Sequence, residues 1–315
     1  MVLVNHDIKY HATCFIAGGF SSSIRWVLTP LDLVKIQMQV RPLSVQASQN
    51  NGVTATLRAI YLNEGLSGLF RGLSPTILAS FVQTSCKYGL YEIFKDCVAK
   101  GISGITGDSE ESVRRMHRAE ICVTSAAMAE TVADIAMCPF EMLKVQIQAA
   151  SSPTAKNSFP SQLLPAVSQM MQQRKQYNFP FGSIFPLWAR QVPGTVLNFF
   201  VFESTASIIY ESLLPGQKED YSSRQQLCVS FGAGYIAGFC NAAISHPADS
   251  IISCMALSKY QGMSVHEIIQ DVGLYRLATK GLLPRMVVTG QVISTQWLLY
   301  DTIKCFFGFG TSGGE

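Results

Sequence analysis

Six long segments rich in apolar residues alternate with segments rich in polar and turn residues. As a helix, each apolar segment is long enough to cross about 30 Å of hydrocarbon. Charged residues such as Arg25, Lys87 and Glu130 interrupt these segments, so a hydropathy scan is expected to miss several of them. Charges at that depth usually face the interior of a helix bundle. The pattern predicts membrane-spanning helices near residues 9–38, 74–99, 117–147, 187–213, 224–255 and 284–308.

The connecting segments 39–73, 148–186 and 256–283 are richer in polar and turn residues than the apolar segments. Because each of them follows an odd-numbered helix, all three belong on the same side of the membrane. We predict loops that carry short surface helices there.

One motif recurs at nearly equal spacing. Pro30, Pro139 and Pro247 are 109 and 108 residues apart, and an acidic residue lies two positions after each proline. An aromatic-acidic pair then follows 53 to 63 residues after each proline, at Tyr91-Glu92, Phe202-Glu203 and Tyr300-Asp301. Self-similarity at a fixed period is the sequence signature of a repeat architecture. The chain is therefore predicted to be an all-α membrane protein of three pseudo-symmetric two-helix repeats, at residues 1–100, 101–212 and 213–315.

The composition agrees with a membrane protein. Of 315 residues, 48% are hydrophobic and 14% are charged, whereas about 25% of residues are charged in a typical soluble domain. A net charge of +3 gives no reason to expect a nucleic-acid partner. The nine cysteines form no C-x-x-C pair, so we expect reduced, buried thiols and no metal or other cofactor.

The usual signatures of enzymes and of targeting peptides are not found in the chain. It has no Walker loop, nucleophile elbow or dinucleotide motif, so we expect no enzyme. Residues 1–10 resemble neither a secretory signal nor an Arg-rich presequence. Any targeting signal is therefore expected to be internal.

The substrate site is expected where the three repeats differ. A ligand without threefold symmetry that binds inside such a bundle needs asymmetric contacts, whereas the contacts that close the ends of the bundle can be symmetric. Five residues before each proline lie Arg25, Asp134 and Ala242, and five before each acid of the aromatic-acidic pairs lie Lys87, Asn198 and Gln296. Gln83 lies one helical turn before Lys87, on the same face. The residues predicted to bind substrate are Arg25, Gln83, Lys87, Asp134, Arg190, Asn198 and Gln296.

The types of these residues favour a small oxyanion. Arg offers a planar fork of donors to phosphate or carboxylate, and Lys offers a point charge. Glu130, Asp134 and Glu141 are spaced four and seven residues apart and therefore share one helix face. Since burial and neighbouring carboxylates favour the protonated form of an acid, these three residues are candidates for holding a coupled proton. The alternative is that the polar groups only satisfy one another between helices.

The repeated motifs resemble those of the mitochondrial carrier family over the whole chain. Within that family the chain is most similar to phosphate carriers, through Ser125–Glu130, Ala133–Pro139, Arg190–Pro193, Phe199–Glu203 and Pro247–Asp249 with Ser253. The resemblance implies six tilted helices around a central site in the mitochondrial inner membrane. It also implies alternating access, transport of phosphate with a proton or in exchange for hydroxide, bound cardiolipin and a monomer.

The resemblance further implies two salt-bridge gates. The matrix gate comprises Asp32, Lys35, Glu141, Lys144 and Asp249, and the cytoplasmic gate comprises Glu92, Lys95, Glu203, Asp301 and Lys304. One basic position in each gate is lost, to Ser253 and Ala206 respectively. We therefore expect at most two bridges in each gate, and weaker gates that switch more easily.

Two central positions depart from the phosphate-carrier pattern. Arg25 stands where those carriers usually have His, and Asn198 stands where they usually have Lys. These changes leave open the transport of another small anion, such as a dicarboxylate or sulfate. A non-transporting subunit of a respiratory complex is a further alternative. The cysteine positions give no specific support for copper transport.

Overall fold

The computed structural model describes residues 8–30, 33–34, 53–149, 160, 162–177, 179–214, 218–255, 265–279 and 282–313. Within these ranges the chain is helical and contains no β-strand. The helices of the first repeat are α1 (Ile8–Ser21), α2 (Ser23–Val27), α3 (Val53–Leu69) and α4 (Leu73–Thr106). Those of the second are α5 (Glu110–Met116), α6 (Arg118–Ala149), α7 (Leu163–Gln172), α8 (Arg174–Tyr177) and α9 (Ile184–Ile208). Those of the third are α10 (Ser223–Met255), α11 (Val265–Val272), α12 (Leu274–Thr279) and α13 (Leu282–Phe306).

The long helices form a closed ring. Each packs against the next in the order α1, α4, α6, α9, α10 and α13, and α13 packs back against α1. A ring has no free edge, so the polar faces of the helices can be directed at a shared interior. Within the described residues the predicted all-α fold is therefore confirmed. Helices α4, α6, α9, α10 and α13 begin and end within a few residues of the predicted positions, except that α4 continues to Thr106.

The first predicted helix is not continuous, contrary to the prediction for residues 9–38. It breaks at Ser22, between α1 and α2. The hydroxyls of Ser21 and Ser22 donate to the carbonyls of Gly18 and Gly19, at 2.7 Å each. Backbone bonds from Ser22 N to Gly19 O and from Arg25 N to Ser22 O span three residues instead of four. These tighter bonds and the competing hydroxyls interrupt the regular helix, while residues 31–32 and 35–38 lie outside the described residues.

Three of the described helices are long and apolar enough to cross a membrane. They are Arg118–Gln148, Leu187–Leu213 and Ser223–Pro247. Helix α4 is longer than any of them, but Lys87, Glu92 and Lys95 lie along it. The charged residues along α4 therefore explain why a hydropathy scan misses it, as predicted from the sequence.

Aromatic side chains close the ring near one end. Tyr88, Tyr91, Phe199, Phe202, Trp297 and Tyr300 are buried together, two from each repeat, and we call these six residues the aromatic plug. Each pair of repeats meets in it: Tyr88 lies 4.4 Å from Tyr300 and Tyr91 lies 4.3 Å from Phe199, between ring centroids. The Phe202 and Trp297 rings stack at 3.6 Å. Aromatic pairs contribute about 0.5–1.5 kcal/mol beyond burial, so the plug stabilises the closed form of this end.

Small residues allow helices α10 and α13 to approach closely. A Cβ atom added at Gly238 would lie 2.8 Å from the Gly290 Cα and 2.9 Å from the Thr289 carbonyl oxygen. Backbone atoms cannot move aside as a flexible side chain can. The third repeat thus contains a close helix contact between small residues.

We expect Gly238→Ala to lower the free energy of unfolding by about 1–3 kcal/mol, the usual cost of overpacking. Thermal unfolding of the purified protein in detergent measures the change. Gly232→Ala is the matched control, because Gly232 lies in the same helix with no atom within 4 Å of an added Cβ. Equal unfolding temperatures for the two variants would contradict a close contact at Gly238.

Candidate functional site

Gln83 lies at the centre of a polar cluster inside the ring. Its amide nitrogen donates to Glu130 Oε1 at 3.0 Å and to Gln191 Oε1 at 2.9 Å, and lies 3.4 Å from Asp134 Oδ1. Its amide oxygen accepts from Arg25 Nη1 at 3.1 Å. One buried glutamine therefore joins side chains from α2, α4, α6 and α9.

The only cation–carboxylate pair of this cluster within the described residues joins Lys87 and Glu130. Lys87 Nζ lies 3.0 Å from Glu130 Oε2, and the Glu130 side chain is fully buried. Lys87 Nζ also donates to Thr195 Oγ1 at 3.1 Å. Removing one partner of such a pair leaves an uncompensated buried charge.

Two acids face this single lysine. Asp134 lies one turn after Glu130 on α6, and both side chains are fully buried. Asp134 Oδ1 accepts from the Gln191 amide at 2.8 Å, whereas its Oδ2 has no hydrogen-bond partner among the described residues. The Lys87 ammonium alone compensates only one of these two buried carboxylates, and a proton on either acid would remove the remaining charge.

Arg25 brings a second cation to the cluster. Within the described part of the chain its hydrogen-bond partner is the Gln83 amide oxygen, which is neutral. Its side chain is partly buried, and no carboxylate lies within ion-pair distance in that part. The charge of Arg25 is therefore available to an anion that enters the ring.

The other predicted binding residues make no hydrogen bond or ion pair with this cluster among the described residues. Gln296 is buried, and Asn198 Oδ1 is buried without a hydrogen-bond partner among the described residues. Arg190 is exposed and makes no hydrogen bond or ion pair there. Its binding role stays a prediction, as does the proton-coupling role of Glu141, which lies two helical turns beyond Asp134 and is partly buried.

Sequence reasoning missed Gln191 and Thr195, although both belong to the cluster. Gln191 lies seven residues before Asn198 and four before Thr195, so the three share one face of α9. That periodicity favours Gln191 over its charged neighbour Arg190 as the residue of α9 that faces the cluster. The cluster draws on repeats 1 and 2, because Ala242 occupies the equivalent position of repeat 3.

The predicted cytoplasmic-gate residues lie at the end of the ring that the aromatic plug closes. Lys95 Nζ lies 3.6 Å from Glu203 Oε1 and 3.8 Å from Glu92 Oε2. Arg118 was not predicted to take part, yet its Nη2 lies 3.4 Å from Glu203 Oε2. The Lys95–Glu203 pair joins repeats 1 and 2 across the ring.

The predicted matrix gate is described only in part. Glu141 and Lys144 are partly buried on α6, two turns or more beyond Asp134. Asp32 and Lys35 lie outside the described residues, and so does the side chain of Asp249. The number of bridges in this gate therefore stays a prediction.

Comparison with known proteins assigns a family to this ring of helices. The family model described as mitochondrial carrier protein matches residues 9–101 and 119–213, more than half of the chain. The chain belongs to the mitochondrial carrier family. Members of this family are transporters, and the protein is accordingly a multi-pass protein of the mitochondrial inner membrane.

Several relatives within the family carry the word phosphate in their names. Mitochondrial phosphate carrier protein 2 of Arabidopsis thaliana is 36% identical over 306 residues, covering 97% of this chain and 78% of the relative. The phosphate carrier protein of Caenorhabditis elegans is 33% identical, covering 94% and 81%. Solute carrier family 25 member 3 of Bos taurus is 34% identical, covering 95% of this chain and 77% of the relative.

We expect Lys87→Met to lower the free energy of unfolding by about 3–5 kcal/mol, because it leaves the buried Glu130 carboxylate without its cation. Thermal unfolding in detergent is the measurement. The double variant Lys87→Met with Glu130→Gln removes both charges and is expected to recover most of the loss. Arg115→Met is the control, since the Arg115–Glu111 pair is exposed on both sides and such pairs contribute about 0–1 kcal/mol. Similar losses in Lys87→Met and Arg115→Met would contradict the buried pair.

Proposed function

We propose that this protein transports inorganic phosphate into the mitochondrial matrix together with a proton. The observation that carries the proposal is the composition of the central cluster. Arg25 and Lys87 supply two cations, and the charge of Arg25 is not neutralised by a carboxylate in the described residues. A guanidinium fork beside an ammonium is a suitable receptor for a tetrahedral oxyanion. The names of the relatives from Arabidopsis thaliana and Caenorhabditis elegans supply phosphate as the anion.

The Lys87–Glu130 pair offers a physical means of coupling. While Glu130 is ionised, it holds Lys87 at 3.0 Å. When Glu130 takes up a proton, the electrostatic attraction is lost and Lys87 is free to turn towards an anion. Phosphate and proton therefore bind together, and deprotonation of Glu130 on the other side would return Lys87 to its partner and release the anion.

Asp134 provides a second position for the proton. Its Oδ2 is buried and lacks a hydrogen-bond partner in the described residues, while Gln83 and Gln191 contact Oδ1. Since Glu130 and Asp134 both contact Gln83, one proton can pass between the two carboxyls through small side-chain movements. Arginine does not release protons in proteins, so in this chain the coupling has to rest on the acids rather than on Arg25.

Alternating access completes the proposal. The aromatic plug and the Lys95–Glu203 bridge would close the end that faces the intermembrane space. Asp32, Lys35, Glu141, Lys144 and Asp249 would close the matrix end in the other state. Binding of phosphate and proton between the gates shifts the balance between the two states, because the central contacts differ in each.

Glu130→Gln is expected to abolish the stimulation of phosphate uptake by a pH gradient. Uptake of labelled phosphate into proteoliposomes, with and without the gradient, measures the effect. Glutamine cannot take up or release a proton at this position, so uptake with the gradient should fall to the rate measured without it. Glu111→Gln, on an exposed surface pair, is the control and should keep full activity. Full retention of gradient-driven uptake in Glu130→Gln would refute the coupling.

Arg25 and Asn198 favour a second candidate, the transport of another small anion. These are the two central positions where the chain departs from the phosphate-carrier pattern. Competition of labelled phosphate uptake by unlabelled sulfate and by a dicarboxylate discriminates between the candidates. The phosphate proposal predicts that excess unlabelled phosphate competes best. If sulfate or the dicarboxylate competes better, and the Arg25→His, Asn198→Lys double variant reverses the order, the second candidate is correct.

A further inference from the structure

The cytoplasmic gate has one position that no cation occupies. Lys95 of repeat 1 pairs with Glu203 of repeat 2 at 3.6 Å. The equivalent pair between repeats 2 and 3 would join Ala206, which stands at the position of Lys95, to Asp301, which stands at the position of Glu203. An alanine cannot form the bridge. Asp301 is fully buried and has no ion pair with any residue that the structure describes.

The segment that follows α13 lies in this position. We call residues 308–313 the strap. The backbone N–H of Ser312 donates to Asp301 Oδ1 at 2.9 Å, and the Ser312 hydroxyl accepts from Lys304 Nζ at 3.2 Å. Gly313 packs so closely on repeat 2 that an added Cβ would lie 2.7 Å from the Ala206 Cβ. A larger side chain at position 206 would displace the strap.

The strap is anchored by side chains outside the gate. Lys218 Nζ donates to the carbonyls of Thr311 and Gly313, at 2.6 and 2.7 Å. The Thr311 hydroxyl donates to Gln226 Oε1 at 3.0 Å, and Thr311 is 1% exposed. This degree of burial and hydrogen bonding distinguishes the strap from a loosely attached chain end.

The strap contacts all three repeats at the end where they have to separate. Phe309 lies edge-on to Tyr10 of repeat 1 with ring centroids 5.3 Å apart, and Gly313 lies against Ala206 of repeat 2. Asp301, Lys304 and Lys218 belong to repeat 3. Opening this end moves the repeats apart, so it has to break at least one set of these contacts.

We propose that the strap is the third bridge of the cytoplasmic gate, and that its release is a required step in opening that end. The Ser312 amide gives Asp301 the hydrogen-bond donor that a cation at position 206 would supply in a symmetric gate. The carbonyls of Thr311 and Gly313 hold the strap in place through Lys218. The strap is then a closing device that this chain carries in its own sequence. The inference concerns gating and does not depend on which anion is transported.

Native cysteines report the opening of the gate without any substrate. Cys14 and Cys122 are buried in the same cluster as the aromatic plug, and Cys122 Sγ lies 3.4 Å from the Tyr91 hydroxyl. Cys97 and Cys228 are exposed and serve as internal references for reactivity. Cys138 is buried among residues of α4, α6 and α9 outside the plug cluster, so it reports general loosening.

The experiment compares maleimide labelling rates, peptide by peptide, in the full chain and in a variant lacking residues 308–315. We expect labelling of Cys14 and Cys122 to rise about tenfold, which corresponds to about 1.4 kcal/mol, with Cys138 unchanged. Lys218→Met, which removes the anchor of the strap, should also raise the labelling rate of Cys14 and Cys122. Ser312→Ala keeps the backbone N–H and should have a smaller effect.

Ala206→Lys supplies the decisive rescue. In the variant lacking the strap, a lysine at position 206 can pair with Asp301, and labelling of Cys14 and Cys122 should return towards the rate of the full chain. Unchanged labelling of both thiols after deletion would overturn the proposal, as would an equal rise at Cys138. Failure of phosphate uptake would leave these thiol results intact, so the two proposals stand or fall separately.

Discussion

The buried pair of Lys87 and Glu130 sets the conditions for the rest of this structure. A charge in the hydrocarbon region is expensive unless it is paired and hydrogen-bonded. Here the pair is held by Thr195 on one side and Gln83 on the other. Gln83 in turn orients Arg25 and contacts Asp134, so the arrangement of the whole cluster follows from satisfying one ion pair.

The end of the ring is built from equivalent residues of all three repeats, whereas the central cluster is not. The aromatic plug uses two residues from each repeat, and closing a ring requires that every repeat contribute. The central cluster uses repeats 1 and 2 alone among the described contacts, because Ala242 replaces the polar residue in repeat 3. The strap shows a third case, in which a lost symmetric position at Ala206 is filled by backbone from elsewhere in the chain.

The sequence predicted the fold well for identifiable reasons. Three prolines at equal spacing fixed the repeats, and long apolar segments fixed most helix ends. Arg25, Gln83, Lys87, Glu130 and Asp134 were also predicted and do lie together, since symmetry-breaking charges in a ring have few other places to go. The break at Ser22 was missed because it depends on serine hydroxyls competing for carbonyls that a regular helix would use. Arg118 and the anchoring of the strap by Lys218 were missed because they involve contacts between segments far apart in the chain, which no periodicity reveals.

The central claim is that anion and proton bind together because Glu130 releases Lys87 only when it is protonated. Titration calorimetry of the purified protein with phosphate, in two buffers that differ in ionisation enthalpy, counts the protons taken up on binding. Phosphate itself can gain or lose protons when it binds. The proton count of the Glu130→Gln, Asp134→Asn double variant measures that contribution, which is then subtracted. The account predicts that the wild-type protein takes up more protons per phosphate than the double variant. Equal proton counts with phosphate bound by both proteins would contradict it.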